Sequence, residues 1–199
     1  MDRSALLSPN SFRRALERVP HAERDSWFDA VLGLSEVPED GAELPRGCVP
    51  YLPCSVDAVL DAVNLVGVDA SDVFVDVGAG IGRAALLANL LTGARAVGLE
   101  IQPSLVERAR ALTAGMGVSG VELVVCDAVD AARTVPTGTV FFLYCPFDAT
   151  RVERFLDALE PVARARPVRL VCVDMPPLAR NWLRSSARMP SGATAYFNV

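Results

Sequence analysis

Short apolar runs alternate along this chain with stretches in which apolar side chains recur every three or four residues. Buried strands of a parallel sheet are almost continuously apolar, whereas a helix that covers a sheet is apolar on one side only. Helical spacing fills the segments between the runs, as at residues 103–115. Five runs have the length of buried strands: 73–77, 94–99, 121–126, 139–143 and 168–173. The alternation predicts a three-layer, doubly wound α/β fold with helices on both faces of a mostly parallel sheet.

The C-terminal segment has a different pattern. Residues 182–189 alternate between apolar and polar side chains, and Pro190-Ser191-Gly192 provides a turn into the apolar run 193–199. Period-two alternation is typical of a strand, so this segment predicts an antiparallel hairpin that closes a seven-stranded sheet. Before it, Asp148 is expected to cap a helix that Pro161 bends or ends, because proline lacks the N–H of the helical hydrogen bond.

The N-terminal segment predicts helices that precede the sheet. Ser8-Pro9 is a favourable helix start, and the apolar spacing that follows indicates an amphipathic helix ended by Pro20. A second helix is expected from about Ala22 to Gly33, and a proline-rich connector follows. The chain is therefore divided into a helical cap with its connector, residues 1–49, and a larger domain, residues 50–199. Whether the cap stabilises the domain or forms part of a lid is left open.

Composition narrows the class of protein. The chain has 199 residues, of which 51% are hydrophobic, and it contains no uninterrupted apolar run of about 20 residues, so no membrane span is predicted. The first ten residues lack the apolar core of a signal peptide, and a cytoplasmic location is expected. Five cysteines without a C-x-x-C pair and a lone His21 give no metal-site spacing. A net charge of −5 does not favour non-specific nucleic-acid binding.

The most informative stretch is residues 73–100. The strand 73–77 carries Asp76 and leads into Gly78-Ala79-Gly80-Ile81-Gly82, a helical pattern follows, and the next strand ends on Glu100. Glycines allow a sharp turn and a close approach of a ligand to the backbone. A carboxylate at the tip of the second strand can accept hydrogen bonds from both hydroxyl groups of a ribose. The third glycine of a dinucleotide motif, however, is replaced by Arg83.

The spacing Asp76-x-Gly78-x-Gly80-x-Gly82 resembles motif I of the class I S-adenosylmethionine methyltransferases. The resemblance implies S-adenosylmethionine as the cofactor, with Asp76 near its methionine amino group and Glu100 on its ribose. Asp127, at the tip of the third strand, would contact the adenine amino group; capping of the short stretch 128–133 is the compatible alternative, and the adenine contact is favoured because open α/β sheets bind ligands at the carboxyl ends of their strands. The full set of expected cofactor contacts is Tyr51, Asp76, Gly78, Ala79, Gly80, Gly82, Glu100, Ile101, Asp127 and Ala128.

The fourth strand runs into Tyr144-Cys145-Pro146-Phe147, at the position of the family's motif IV. Amino-methyltransferases often carry N/D-P-P-Y/F there, so Pro146 and Phe147 match, whereas Tyr144 replaces the amide or acid. That replacement argues against an adenine-N6 or glutamine-type target. Tyr144, Pro146 and Phe147 are expected to line the target site, or alternatively to pack as an ordinary strand end.

The segment Pro50-Tyr51-Leu52-Pro53 resembles faintly the one that enters the cofactor site of lysine methyltransferases of the disruptor-of-telomeric-silencing type. The resulting hypothesis is S-adenosylmethionine-dependent methyl transfer to an unidentified acceptor, either a protein side chain or a small molecule. Two alternatives stay open: a module that binds S-adenosylmethionine without transferring its methyl group and, less favoured because of Arg83, a nicotinamide-dependent oxidoreductase. The sequence does not indicate an oligomeric state.

Overall fold

The computed structural model describes residues 6–36, 38–40, 44–186 and 188–199. Its strands form one sheet in the order β3-β2-β1-β4-β5-β7-β6. The first five strands run parallel to their neighbours, and β7 runs antiparallel to both β5 and β6. This arrangement confirms the predicted mostly parallel sheet with a C-terminal hairpin. The strands are β1 Val73–Val77, β2 Arg95–Glu100, β3 Val121–Val125, β4 Val140–Tyr144, β5 Arg169–Val173, β6 Leu183–Ser185 and β7 Ala193–Asn198.

Helices precede the sheet and connect its parallel strands. Their starts follow from the sequence, because the side chains of Ser8, Ser55 and Asp148 each accept a hydrogen bond from a backbone N–H of the first turn. Three of them end at Gly33, Gly93 and Gly117 in the left-handed conformation. The helices are α1 Pro9–Glu17, α2 Arg24–Leu32, α3 Val56–Leu65, α4 Arg83–Thr92, α5 Pro103–Met116, α6 Ala131–Thr134 and α7 Ala149–Ala165.

Both faces of the sheet are buried, which explains why its central strands are apolar throughout. Alternate side chains of each strand point to opposite faces. On one face, Phe74 and Phe142 stack with ring centroids 5.6 Å apart and belong to the cluster formed with α1 to α4. On the other face, Phe141 packs against Phe155 of α7. Helices therefore lie on both sides of the sheet, which gives the predicted three layers.

Two of the expected boundaries differ from the structure. The helix expected to bend or end at Pro161 does not end there, because α7 continues to Ala165. Ala163, beyond the proline, is buried and its carbonyl accepts a hydrogen bond from Asn198, so long-range contacts hold the last turn of α7 although Pro161 lacks the N–H of the helical hydrogen bond. Of the predicted strand 182–189, only β6 is regular, and Ala187 lies outside the described residues.

Helix length and composition bear on membrane insertion. In the part of the chain that the structure describes, no helix combines the length and apolarity that crossing a bilayer requires.

Candidate functional site

A cleft opens at the carboxyl ends of the parallel strands, beside β1. The chain places β2 on one side of β1 and β4 on the other, so the strand order reverses at this point. Ligands of open α/β sheets bind at such a reversal. Most of the predicted site residues line this cleft, namely Tyr51, Asp76, Gly78, Ala79, Glu100, Ile101, Ala128, Tyr144, Pro146 and Phe147. Gly80, Gly82 and Asp127 are not among its lining residues.

The turn after β1 requires its glycines. Gly78, Gly80 and Gly82 have φ angles of 79°, 55° and 74°, in the left-handed region that glycine adopts without a steric penalty. A Cβ on Gly78 would lie 2.6 Å from the Cβ of Pro146, and one on Gly80 would overlap the ring of Tyr51. The turn therefore brings the backbone against motif IV on one side and against the connector on the other.

Glu100 fixes this turn to the end of β2. Its Oε2 accepts a hydrogen bond of 2.9 Å from the backbone N–H of Gly80, and its Oε1 accepts one of 2.9 Å from the backbone N–H of Gln102. The side chain is buried. Because each oxygen of a carboxylate has two lone pairs, both oxygens can accept one further hydrogen bond. The carboxylate is thus oriented before any ligand arrives.

Asp76 is a buried acid in β1. Its Oδ2 accepts a hydrogen bond of 3.0 Å from the backbone N–H of Ala85, near the start of α4. The pKa of Asp76 is raised to about 7: burial is the main cause, the hydrogen bond from Ala85 opposes it, and the nearby Glu100 adds a smaller upward effect. At neutral pH this carboxyl group is therefore poised between its two protonation states, and a cation placed beside it would favour the ionised one.

The ends of β4 and β5 form the other side of the cleft. Tyr144 pairs with Val173, so the following residues, Cys145 and Asp174, occupy equivalent positions on adjacent strands. Both have positive φ angles, 43° and 53°, although neither is glycine. The Cys145 thiol donates to the carbonyl of Asp174 at 3.1 Å. A positive φ angle costs a non-glycine residue free energy. Such backbone strain persists only where the surrounding structure holds the residue in that conformation.

The phenol and thiol side chains at the ends of β4 and β5 stay uncharged. Burial raises the pKa of Tyr144 and of the Cys145 thiol above their ordinary values. Burial raises the pKa values of Tyr51 and Cys54, which face them from the connector, as well. At neutral pH these phenols and thiols are protonated, so they can donate hydrogen bonds but do not act as bases.

The connector between the cap and α3 contributes one wall of the cleft. The backbone N–H of Val49 donates to the carbonyl of Pro146 at 3.2 Å, and that of Asp148 donates to the carbonyl of Gly47 at 2.8 Å. Within the connector, the Oδ1 of Asp40 accepts a hydrogen bond of 2.9 Å from the backbone N–H of Tyr51. The connector thus pairs directly with the segment that follows β4. The division of the chain at residue 49 remains a prediction.

Arg83 joins the cap to the glycine turn. Its guanidinium forms ion pairs with Asp29 at 2.9 Å and Asp25 at 3.0 Å, both in α2, and it donates to the carbonyl of Cys54. The side chain is buried and lies 5.3 Å from the centroid of the Phe28 ring. In the sequence, Arg83 served only to argue against a dinucleotide motif. Its partners lie more than 25 residues away, so no local signal could have revealed this role.

Asp127 lies at the edge of the cleft and is bound by a residue that the sequence analysis missed. Its Oδ1 accepts from the backbone N–H of Val129 at 3.0 Å, as a helix cap does, and also from Arg151 of α7 at 2.5 Å. Arg151 lines the cleft, and it holds Asp127 beside the cleft, although Asp127 is not itself among the lining residues. The expected cap is confirmed, whereas the expected contact between Asp127 and an adenine remains a prediction.

The comparisons with known proteins agree with this architecture. No family model matches the chain, and no curated protein matches its sequence. Among solved structures, an RNA methyltransferase from Salinibacter ruber in complex with S-adenosyl-L-homocysteine is 30% identical, with a TM-score of 0.55. The match covers 73% of this chain and 92% of the Salinibacter chain.

Two further structures share the fold at lower sequence identity. A methyltransferase from Geobacter sulfurreducens is 15% identical, with a TM-score of 0.59, over 98% of this chain and 100% of its own. A variant of MtNAS in complex with S-adenosylmethionine is 16% identical, with a TM-score of 0.53, over 71% of this chain and 60% of its own. The specific resemblance to telomeric-silencing lysine methyltransferases remains a prediction. Together with the strand order and the Asp76–Gly82 turn, the match to the Salinibacter protein shows that this chain belongs to the class I methyltransferase family.

Proposed function

We propose that this protein binds S-adenosylmethionine in the cleft at the ends of β1 and β2 and transfers its methyl group to an acceptor that enters beside β4. The observation that carries the proposal is the pair of buried carboxylates, Asp76 and Glu100, on adjacent parallel strands around one glycine turn. Structures of the Salinibacter protein with S-adenosyl-L-homocysteine and of MtNAS with S-adenosylmethionine support the choice of ligand.

The residues of the cleft fit this cofactor chemically. S-Adenosylmethionine presents an ammonium group and two ribose hydroxyl groups, all of which can donate hydrogen bonds. Among the described residues, the Oδ1 of Asp76 has no hydrogen-bond partner, so it is open to the ammonium group. The two oxygens of Glu100 each retain a lone pair for a hydroxyl group. The glycine turn leaves the backbone accessible between these two acids.

The side chains around the acceptor would act by position and by excluding water. S-Adenosylmethionine supplies an electrophilic methyl group on a sulfonium ion when it is bound. Tyr144, Pro146 and Phe147 would hold the acceptor in line with that methyl group, and Tyr51 would cover it from the connector. Aligned contact in a desolvated site can account for a large part of a rate enhancement. The protonated phenol of Tyr144 would orient the acceptor by a hydrogen bond and would not remove its proton.

The site defines the methyl acceptor less narrowly than it defines the cofactor. A protein side chain or a small molecule is compatible with an uncharged site lined by aromatic rings. RNA is a second candidate because the 30% identical Salinibacter protein is an RNA methyltransferase. The net charge of −5 lowers the non-specific affinity for RNA, so an RNA acceptor would have to be bound through local contacts.

Calorimetric titration with S-adenosylmethionine, S-adenosylhomocysteine and NAD tests the proposal. We expect micromolar binding of the first two ligands, no binding of NAD, and a loss of at least about a hundredfold in Asp76→Ala and Glu100→Ala, since each variant removes a carboxyl group that accepts hydrogen bonds from the cofactor. Glu107→Ala is the control, because Glu107 is an exposed acid of α5 outside the cleft. A folded wild-type protein that binds neither methionine-derived ligand would refute the proposal.

Catalysis is tested separately from binding. The protein is incubated with radiolabelled S-adenosylmethionine and, in turn, with protein, RNA and small-molecule fractions. If the wild-type protein transfers label to one of these fractions and Glu100→Ala does not, the result supports methyltransferase activity. Tight binding of the cofactor without transfer to any fraction would instead support a module that binds S-adenosylmethionine without turnover.

A further inference from the structure

Arg151 lies in the first turn of α7 and is held from three directions. Its Nη2 donates to the Oδ1 of Asp127 at 2.5 Å, and its guanidinium lies 5.8 Å from the centroid of the Phe147 ring. On the connector, a Cβ added to Gly47 would lie 2.9 Å from the Cδ of Arg151, so only glycine lets the chain pass this close. These contacts fix both the side chain and its orientation at the edge of the cleft.

The ion pair between Asp127 and Arg151 leaves a polar atom of each side chain without a hydrogen-bond partner among the described residues. The Oδ1 of Asp127 accepts from both Val129 and Arg151, whereas its Oδ2 accepts from no group in the described part of the chain. The Nε of Arg151 is buried and has no partner among the described residues. A buried donor without a partner is costly, but this one has almost no exposed surface through which a ligand could reach it. The pair therefore offers a ligand one free acceptor, the Oδ2 of Asp127.

The charge of Asp127 is also set by its neighbours. Partial burial acts to raise the pKa of Asp127, but the hydrogen bonds from Val129 and Arg151, together with the charge of Arg151, outweigh it and hold the pKa below its ordinary value. Arg154, one turn farther along α7, contributes a weaker effect in the same direction. The carboxylate is therefore ionised at neutral pH and can only accept hydrogen bonds.

We infer that Arg151 is a positioning residue that sets the nucleobase specificity of the cleft. It fixes the Asp127 carboxylate through Oδ1, so that Oδ2 is presented to the exocyclic amino group of an adenine. A base that carries an oxygen at that position would place two acceptors against each other. The inference rests on the proposed function and goes beyond it by assigning the selection of adenine to an ion pair between the end of β3 and the start of α7.

The test compares two ligands that differ at one atom. S-Adenosylhomocysteine carries the amino group, and S-inosylhomocysteine carries an oxygen in its place. We expect the wild-type protein to prefer the adenine ligand. Arg151→Met should weaken the adenine ligand by about tenfold, since an ionic hydrogen bond that orients the acceptor is lost, while the inosine ligand changes little. The preference for adenine should therefore shrink by about the same factor.

Matched variants separate this role from a structural one. Arg154→Met removes an equal charge from the same helix, where Arg154 forms no ion pair among the described residues, and it should leave the preference unchanged. Arg151→Lys keeps the charge and should restore part of the preference. In an Asp127→Ala background, Arg151→Met should cause no further loss of preference, since the acceptor that it orients is already absent.

The outcomes distinguish the inference from the proposed function. An Arg151→Met protein that is folded and weakens both ligands equally would show that Arg151 only supports the fold, and an unchanged preference would overturn the inference as well. In either case the wild-type protein still binds S-adenosylhomocysteine, so the proposed function survives. Failure of the wild-type protein to bind that ligand would instead overturn both.

Discussion

The cleft has two sides that differ in structure: the first end, formed after β1 and β2, and the second end, formed after β4 and β5. The first end has the features of a cofactor site, and the second end has those of a contact with an acceptor. Beside β1 and β2, glycines make the turn that follows β1, and two buried acids are oriented by backbone N–H groups. Beside β4 and β5, Cys145 and Asp174 make the turns at positive φ angles, and uncharged phenols and thiols line the cleft.

The comparison indicates what each end is suited to bind. Preorganised carboxylates suit a ligand with ammonium and hydroxyl groups, because the cost of orienting them is met during folding. Uncharged aromatic side chains suit a reacting group that must lose its water before it attacks a methyl carbon. Among the described residues, the non-glycine positive φ angles lie after β4 and β5, whereas glycine makes the turn after β1 without such strain.

The largest effect is expected from a substitution that makes the first end resemble the second. Gly80→Ala would place a methyl group against the Tyr51 ring at a positive φ angle. We expect the affinity for S-adenosylhomocysteine to fall by about thirtyfold, from strain and displacement of Tyr51. Gly117→Ala is the control, since Gly117 has a φ of +68° with no atom within 4 Å of the added Cβ. Calorimetry measures both variants, and equal losses in the two would contradict a local effect.

The next prediction concerns the ionisation of Asp76. Because the pKa of Asp76 is about 7 without a ligand, and an ammonium group favours the carboxylate, affinity should rise as pH rises through that value. Between about pH 5.5 and about pH 7.5 we expect an increase of about tenfold in the affinity for S-adenosylmethionine, with a proton released on binding at the lower pH. Titrations in buffers of different ionisation enthalpy measure that proton. In Asp76→Asn the affinity should be low and independent of pH, and a pH-independent wild type would disprove the assignment.

A smaller effect is expected when strain is relieved at the second end. Cys145→Gly should raise the free energy of unfolding by about 1 kcal/mol, because glycine adopts the observed φ without a penalty. Cys145→Ala removes the thiol but keeps the strain, and it should not be stabilised. Chemical denaturation measures both variants. Unchanged affinity for S-adenosylhomocysteine in Cys145→Gly would agree with a cofactor that is recognised at the other end, and a large loss would contradict that separation.

The smallest effect is expected at Tyr144. Since burial raises the pKa of its phenol, the group stays protonated and cannot serve as the base at neutral pH. With an acceptor identified by the transfer assay, Tyr144→Phe should lower kcat/KM by less than about tenfold, equivalent to one neutral hydrogen bond. Its pH–rate profile should match that of the wild type. A loss of a thousandfold or a changed profile would assign the phenol a role in proton transfer.

The local features of this protein were readable from the sequence. The apolar runs, the glycine turn, the acids at strand ends and the period-two hairpin predicted the layers and the mostly parallel sheet. They also identified Asp76 and Glu100 as residues of one cleft, because the carboxyl ends of parallel strands meet at one edge of a sheet. The end of the helix that contains Pro161 was not predicted, since burial and a long-range hydrogen bond outweigh the local preference.

Tertiary structure alone decided which distant side chains complete the cleft. Arg83 binds two acids of the cap, Arg151 at the start of α7 binds Asp127 at the end of β3, and the connector pairs with the segment after β4. An arginine follows no periodicity that marks its partner, and an ion pair depends on where the folded chain places both charges. The sequence therefore determined the strands, turns and acids that short-range physics specifies, whereas the long-range contacts that orient those acids followed from the packing of the whole chain.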